Sequence, residues 1–270
     1  MEYRKLGKTE VSAIGLGTLR AFDVSSDEDI AVRSQIVDNC IVERVNLIDC
    51  ASAYGAAEHV VGVTTKGRRD SFHLASKVRC EGKEAGEAQI AQSFELFQTD
   101  YIELYQIHNM IDWETHLPTL ETLKDEGRIG MIGVTAMVHE AYPVIVDLMK
   151  SGRIDTVQIP YNVIERGCEA EILPVAEELG VGILVMEPLK KGRYVKELKS
   201  EPDLAPLADL GVETWGQALL AWVLSDSRVS SAIPATSRPE RIHENAKAGS
   251  IGPLTPELRD HVRRETERCL

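Results

Sequence analysis

A buried strand that ends at an acid is predicted by Leu47-Ile48-Asp49-Cys50-Ala51-Ser52-Ala53-Tyr54-Gly55, and the strand leads into a short loop that carries a tyrosine. A buried carboxylate is costly unless a cation or hydrogen-bond donors lie nearby, so Asp49 requires a partner. Two later predicted strands end in candidates, Lys77 and His108. The sequence therefore predicts a polar constellation built from three strand ends and the loop residue Tyr54.

Length and composition favour one large α/β domain that spans residues 1–270. The chain has 43% hydrophobic and 27% charged residues, which is enough to bury a large core. No apolar run approaches the length of a membrane span, and the opening residues Met1–Lys5 lack the apolar stretch of a signal peptide. We therefore expect a soluble, cytoplasmic protein, either a monomer or a weak homo-oligomer.

Charge and cysteine usage exclude several classes of partner. The net charge of −13 opposes nucleic acid or an anionic membrane as the main partner. The five cysteines are odd in number and never stand in a Cys-x-x-Cys spacing, which argues against a disulfide framework, a zinc site or an iron–sulfur cluster. We expect reduced thiols and no metal, and an anionic ligand would need a local basic cluster.

Strand and helix patterns alternate along the chain. A small hairpin, formed by Glu2–Leu6 and Glu10–Ser12, precedes eight predicted strands at 13–18, 46–51, 72–77, 102–108, 131–135, 156–161, 182–186 and 231–234. Helical patterns separate them, and a final helix, Pro256–Cys269, lies outside the repeat. Eight pairs with short links favour a closed (β/α)8 TIM barrel, whose chemistry sits at the C-terminal strand ends.

Three local features refine this reading. Ser25-x-x-Glu28 is typical of a capping box and predicts the start of the first helix. The charged segment from Lys190 to Gly211 is longer than a usual connection and is a candidate lid or binding loop. Gly15-Leu16-Gly17-Thr18 lacks the third glycine of a dinucleotide fingerprint, since position 20 is Arg, so it does not predict a Rossmann turn.

The predicted constellation has a chemical logic. Tyr54 needs a nearby cation to donate a proton near neutrality, because the pKa of free tyrosine is about 10. Lys77 can supply that charge, Asp49 can hold Lys77 charged and aimed, and His108 can hydrogen-bond a substrate carbonyl. Taken singly, an aspartate after a strand is more often a helix cap or turn residue, and a lysine is more often a solvated strand terminus. A histidine there is more often a core residue whose hydrogen bonds are satisfied. Their coincidence on adjacent strands predicts a site that protonates an oxygen.

A second candidate site lies in the segment from Ile233 to Asn245. A strand that ends in Thr-Ser before a helix from Arg238 to Ala248 offers free N–H groups, hydroxyls and two arginines to a phosphate. The second arginine, Arg241, lies three residues after the first. Two alternatives stay open: an ordinary solvated first turn, or neutralisation of an arginine by Glu240 or Glu244.

Together these motifs resemble those of the aldo-keto reductases. The motifs that carry the resemblance are 14–18, Ile48-Asp49-x-Ala51-x-x-Tyr54-Gly55, Ser76-Lys77, 100–108, 127–134, Gln158-x-Pro160-Tyr161-Asn162 and 234–245. The resemblance implies a (β/α)8 barrel that transfers hydride from NADPH to a small-molecule aldehyde or ketone. By position it makes Tyr54 the proton donor, with Asp49 and Lys77 tuning it and His108 orienting the carbonyl.

The resemblance also implies a set of cofactor contacts. Gln158 falls on a carboxamide contact, and the adenosine-phosphate contacts fall on the segment after the eighth strand. The full set is Gly17, Thr18, Gln158, Met186, Pro188, Leu189, Thr236, Ser237, Arg238, Arg241, Glu244 and Asn245.

Some positions depart from the family pattern. Thr135-Ala136 stands where members often have Ser-Asn, and Met186 stands where many have a Tyr that stacks on the nicotinamide; a thioether can also pack against that ring. Aromatic residues for a substrate wall are few, with Trp113 and Phe22 the nearest candidates.

Two other functions stay open at this point. The chain could be a relative that holds NADPH as a sensor or regulatory subunit with little turnover, since such subunits can retain the four polar residues. A cofactor-independent isomerase or lyase would use Tyr54 and Lys77 without a phosphate site, and Arg238 and Arg241 disfavour it.

Overall fold

An N-terminal hairpin and an eight-stranded parallel sheet form the β-structure of the chain, which a computed structural model describes over residues 1–270. Strands β1 (Tyr3–Leu6) and β2 (Thr9–Ser12) pair in antiparallel fashion. The parallel sheet follows chain order and comprises β3 (Leu16–Gly17), β4 (Leu47–Asp49), β5 (His73–Val78), β6 (Ile102–Ile107), β7 (Ile129–Thr135), β8 (Thr156–Pro160), β9 (Gly182–Met186) and β10 (Ser231–Ala232).

The sheet closes on itself between its first and last strands. Parallel bridges join Ile14 to Ala232 and Gly17 to Ala235. A Cβ at Gly17 would lie 2.6 Å from the carbonyl oxygen of Ile233, so only glycine allows this approach. The predicted (β/α)8 barrel with its N-terminal hairpin is therefore confirmed.

A helix follows each barrel strand and covers the outside of the sheet. The helices are α1 (Asp27–Val42), α2 (Ala57–Thr65), α3 (Lys83–Phe97), α4 (Trp113–Asp125), α5 (Tyr142–Ser151), α6 (Cys168–Leu179), α7 (Arg193–Lys196), α8 (Trp215–Leu224), α9 (Glu240–Ala248) and α10 (Pro256–Cys269). The short α7 lies in the connection between β9 and α8, and α10 lies outside the repeat. None of these helices combines the length and apolarity needed to cross a membrane.

Two helices begin later than the sequence predicts. The N-cap of α1 is Ser26, whose hydroxyl accepts a hydrogen bond from the backbone N–H of Asp29 at 3.1 Å, so the predicted cap at Ser25 is wrong by one residue. Helix α9 begins at Glu240 rather than Arg238. The hydroxyl of Thr236 accepts the N–H of Arg238 at 3.1 Å and closes a turn ahead of the helix.

The inside of the barrel is sealed at its N-terminal end. Alternate side chains of a strand face opposite sides of the sheet, so one residue in two faces inward. The inward residues form a small apolar cluster, and the hairpin contributes Leu6 and Val11 to it as a plug: the members are Leu6, Val11, Leu47, Ala75, Leu104, Met131, Leu184 and Ile233. Only the C-terminal end of the barrel is left for polar groups.

The segment from Lys190 to Gly211 contains α7 and two short 3-10 helices. Its later part is anchored on α10, because the N–H of Lys199 donates to the carbonyl of Cys269 at 2.7 Å and the N–H of Asp203 donates to the carboxylate of Glu265 at 2.8 Å. Only the first part of the segment, directly after β9, therefore remains a candidate lid, and that role stays a prediction.

Candidate active site

A buried ion pair lies inside the barrel at the C-terminal ends of β4 and β5. The ammonium of Lys77 contacts the two carboxylate oxygens of Asp49 at 2.8 and 2.7 Å, and it donates to the carbonyl oxygen of Cys50 at 2.6 Å. Lys77 is 1% exposed and Asp49 3% exposed. All three donors of the ammonium are used, which offsets the cost of removing both charges from water.

Two glutamine amides complete the shell of Asp49. The Nε2 of Gln106 donates to Oδ1 and the Nε2 of Gln158 donates to Oδ2, each at 3.3 Å. Gln158 was predicted as a cofactor contact, whereas the sequence reasoning missed Gln106. A signal was present, since a glutamine interrupts an apolar strand two residues before His108 and so faces the same side of the sheet.

The loop tyrosine and the strand-end histidine lie beside this pair. The Lys77 ammonium is 5.2 Å from the centroid of the Tyr54 ring, and the rings of Tyr54 and His108 lie 5.9 Å apart, edge to face. A tight turn carries Tyr54, because its N–H donates to the carbonyl of Ala51 at 3.0 Å. The structure therefore brings the four predicted catalytic residues together.

Electrostatics at the site favour a protonated phenol beside a charged ammonium. Burial raises the pKa of Tyr54 above its ordinary value, and the charge of Lys77 opposes part of that rise. Burial, the largest single effect, would lower the pKa of Lys77, but the charge of Asp49, its hydrogen bond to the ammonium and the interactions with Tyr54 and Cys50 together raise that pKa. Lys77 is thus held as a cation where it can stabilise negative charge on the phenol oxygen.

His108 is a neutral imidazole at physiological pH. Burial, together with the positive charges of Lys77 and Arg79, lowers its pKa to about 3. A neutral imidazole has one N–H donor and one acceptor nitrogen. Its Nδ1 is buried without a hydrogen-bond partner inside the protein. His108 can therefore act as a hydrogen-bond donor to a bound molecule without carrying charge.

The residues predicted to hold the nicotinamide end lie around the same opening. The Oε1 of Gln158 is buried without a partner, which leaves an acceptor that suits an amide group. Met186 and Leu189 are half-buried and Pro188 is buried, directly after β9. Thr135 accepts the N–H of Asn109 at 2.8 Å, so its hydroxyl is engaged within the protein.

Gly17 and Thr18 make structural contacts at the end of the first barrel strand. The hydroxyl of Thr18 donates to the carbonyl oxygen of Asp49 at 2.9 Å, which ties the loop after β3 to β4. Gly17 allows the barrel to close. Both are fully buried, and their contact with a cofactor stays a prediction.

At the predicted phosphate site, both arginines face carboxylates of the chain itself. Arg238 lies before α9 and is 3.7 Å from Glu240, and its side chain is 54% exposed. Arg241 pairs with Glu244, which also accepts the hydroxyl of Thr214 at 2.9 Å. The predicted placement of the two arginines at the first and fourth positions of one helix is therefore wrong, since Arg238 precedes α9 and Arg241 is its second residue.

The rest of the predicted phosphate set surrounds these arginines. Ser237 is exposed, Thr236 is half-buried, and Asn245 is buried on α9. Hydroxyls, guanidinium groups and the first turn of a helix lie within ten residues of chain, so this segment fits an anionic group.

The barrel opening has an apolar rim instead of an aromatic wall. Phe22 is fully buried and packs in the core, so it is wrong as a substrate-wall candidate, whereas Trp113 is half-buried at the start of α4. Four aliphatic side chains in loops after barrel strands are exposed, which the sequence reasoning missed: Leu19, Met137, Val138 and Ile164.

Comparison with known proteins identifies the family. The model of the aldo/keto reductase family matches residues 13–264. The chain belongs to the aldo/keto reductase family. It is 31% identical to aldo-keto reductase YhdN of Bacillus subtilis (strain 168) over 224 residues, which cover 74% of this chain and 66% of the relative.

Two further proteins match along most of their length. Methylglyoxal reductase YeaE of Escherichia coli (strain K12) is 29% identical, with 93% of this chain and 90% of the relative covered. The crystal structure of an aldo/keto reductase from Klebsiella pneumoniae in complex with NADP and acetate superposes with a TM-score of 0.85 at 29% identity, covering 97% of this chain and 94% of that chain.

The buried ion pair should be strongly coupled. Lys77→Met leaves the carboxylate of Asp49 buried without its cation and should lower the free energy of unfolding by about 3 to 5 kcal/mol. Adding Asp49→Leu should recover part of that loss, because no buried charge remains. Urea unfolding of both single variants, the double variant and wild type measures the coupling. As a control, Lys83→Met removes an exposed pair with Glu87 and should change nothing measurable.

Because folding lowers the pKa of His108, the free energy of unfolding should decrease as the pH falls. Its pKa falls from 6.5 to about 3 on folding, so the unfolded chain binds a proton that the folded protein excludes. Stability is therefore complete above the unfolded pKa and declines as the pH falls. From about pH 7 to about pH 5, wild type should lose about 1 to 2 kcal/mol more unfolding free energy than His108→Gln.

Urea unfolding at the two pH values measures this difference. His59→Gln, which changes an exposed histidine on α2, should keep the wild-type loss. An equal loss in wild type and His108→Gln would mean that His108 is protonated without penalty.

Proposed function

We propose that the protein is an NADPH-dependent reductase that converts an aldehyde or ketone into an alcohol. The observation that carries the proposal is the contact of a buried, Asp49-paired Lys77 ammonium with the ring of Tyr54, beside a neutral His108. A cation next to a phenol stabilises the phenolate that forms when the proton leaves. Such a group is a general acid for a carbonyl oxygen.

Each residue has a role in this proposal. Tyr54 donates its phenolic proton to the carbonyl oxygen, and Lys77 stabilises the phenolate left behind. Asp49 keeps Lys77 charged and directed towards the ring. His108 donates a hydrogen bond to the same carbonyl oxygen and so holds it near the phenol. When bound, NADPH supplies the hydride that completes the reduction.

The proposed cofactor site runs from the barrel opening to α9. The unpartnered Oε1 of Gln158 would accept from the carboxamide, with Met186, Pro188 and Leu189 packing nearby. The anionic end would be held by the residues around the start of α9: Thr236, Ser237, Arg238, Arg241, Glu244 and Asn245. Solved family members described in complex with NADP and with NADPH support this choice. Gly17 and Thr18 would shape the floor of the site.

The rim favours a carbonyl substrate with an apolar substituent. Met137 and Val138 follow β7, which neighbours β6, the strand that leads to His108, and Ile164 follows β8, one strand further on. Their exposed aliphatic side chains would gain from covering an apolar group. A sensor or regulatory subunit that binds NADPH without turnover is the alternative, and steady oxidation of NADPH by any carbonyl compound would exclude it.

Tyr54→Phe tests the proton donor. The substitution removes the phenolic hydroxyl and should lower kcat by about 10²- to 10⁴-fold, the usual share of a positioned general acid. The dissociation constant for NADPH should stay nearly unchanged. NADPH oxidation against a panel of aldehydes, ketones and quinones gives kcat, and fluorescence titration gives the affinity.

The matched control is Tyr101→Phe, which removes a hydroxyl at the opposite end of the barrel, before β6, and should retain wild-type kcat. A Tyr54→Phe enzyme with the wild-type rate would assign the acid to another group.

Arg241→Ala tests cofactor choice. NADPH carries a 2′-phosphate that NADH lacks, and an arginine contact to it contributes about 1.5 to 3 kcal/mol, so the variant should bind NADPH about 10-fold or more weakly. NADH binding should change little. The wild-type preference for NADPH should also shrink at high salt.

Fluorescence titration with both cofactors at low and high salt measures these constants. Lys247→Ala is the control, because Lys247 lies near the far end of α9 and pairs with Glu213. Equal dissociation constants for NADH and NADPH in the wild-type protein would show that the arginines do not bind the 2′-phosphate.

A further inference from the structure

The side chain of Gln106 reaches past Lys77 to contact Asp49. Gln106 and Lys77 are partners in the register of β5 and β6, whereas Asp49 lies one strand further on, in β4. The Nε2 of Gln106 lies 3.3 Å from Oδ1 of Asp49, and Gln106 is fully buried. Oδ1 also contacts the Lys77 ammonium at 2.8 Å. One carboxylate oxygen thus joins the amide to the ammonium.

An apolar residue at position 106 would fill the same space without the free-energy cost of burying an unpaired polar atom. The Oε1 of Gln106 is buried without a hydrogen-bond partner, so the side chain carries a desolvation cost that one hydrogen bond only partly offsets. The inward residue one step earlier on the same strand is Leu104, which packs in the apolar cluster inside the barrel. At position 106 the barrel therefore has an amide with only one of its two polar atoms hydrogen-bonded, where a leucine would continue the apolar interior.

A glycine in the neighbouring strand makes room for this side chain. A Cβ at Gly133, in β7, would lie 2.9 Å from Cγ of Gln106 and 2.3 Å from Oγ1 of Thr156. Gly133 is the register partner of Gln106, so any larger residue would push the glutamine stem aside. The absence of a side chain at 133 is a second, independent feature that preserves the reach of Gln106.

We infer that Gln106 is a positioning residue for the acid step: its amide fixes the Asp49 carboxylate in the orientation that holds the Lys77 ammonium beside Tyr54. The inference rests on the proposed role of Tyr54 as proton donor. Gln106 acts through Asp49 and Lys77 and does not itself bind the substrate. Without the Gln106 amide, Oδ1 of Asp49 loses a hydrogen-bond donor while Oδ2 keeps the amide of Gln158. The carboxylate can then rotate, and the Lys77 ammonium moves with it.

The first test compares catalysis in Gln106→Leu with that of wild type. We expect kcat to fall about 10-fold, the effect of one lost hydrogen bond to a charged group, while KM for the carbonyl and the dissociation constant for NADPH change less than about 2-fold. Gln106→Met, which keeps the length of the side chain without the amide, serves if the leucine variant does not fold. Thermal unfolding establishes that each variant is folded.

The second test needs no turnover. In protein with 13C-labelled tyrosine, the Cζ resonance of Tyr54, assigned with Tyr54→Phe, reports the charge beside the phenol. Gln106→Leu and Gln106→Met should move it in the same direction as Lys77→Met does. Thr156→Val is the control, because Thr156 is buried in the same interior and makes no hydrogen bond to Asp49. That variant should leave the resonance in place.

The outcomes separate the two proposals. An unmoved resonance in the Gln106 variants overturns the positioning role, whether or not the enzyme turns over. A moved resonance together with lower kcat supports it. If wild type reduces no carbonyl compound while the resonance moves, the reductase function fails and the placement of Lys77 by Gln106 stands.

Discussion

The ion pair between Asp49 and Lys77 is the interaction on which the rest of the site depends. An ammonium and a carboxylate are removed from water almost completely, and the low dielectric of the interior makes any loss of a partner expensive. The pair is stabilised because every donor of Lys77 is used and each carboxylate oxygen of Asp49 accepts a hydrogen bond from the amide of Gln106 or Gln158. This network holds a fixed positive charge beside the phenol of Tyr54.

The barrel supports the pair by separating apolar and polar layers. The N-terminal half of the interior is filled by aliphatic side chains and plugged by Leu6 and Val11 of the hairpin. Polar inward residues begin only one step further along the strands, at Asp49, Lys77 and Gln106. Water can reach the site only from the C-terminal end, so the charges keep their low-dielectric environment on one side while Tyr54 and His108 face the opening.

The outer part of the proposed cofactor site follows a different principle. Its charges are already paired within the chain, Arg238 with Glu240 in an exposed pair and Arg241 with Glu244 in a half-buried pair. Exposed pairs are weak, so in the proposed site a phosphate would displace Glu240 from Arg238 at little cost. The link from Glu244 to Thr214 also ties α9 to the residue that caps α8, which fixes the proposed anion site relative to the barrel.

The sequence by itself determined the barrel, the order of its strands and the meeting of Asp49, Lys77 and His108. These features follow from local patterns: strand and helix alternate, side chains alternate across each strand, and parallel strands end at one edge. Tertiary structure alone decided that Gln106 reaches Asp49 and that Phe22 is buried in the core. It also decided that Gly17 is needed to close the barrel against Ile233. Such contacts join residues far apart in the chain, and no local periodicity encodes which side chain will lie opposite another.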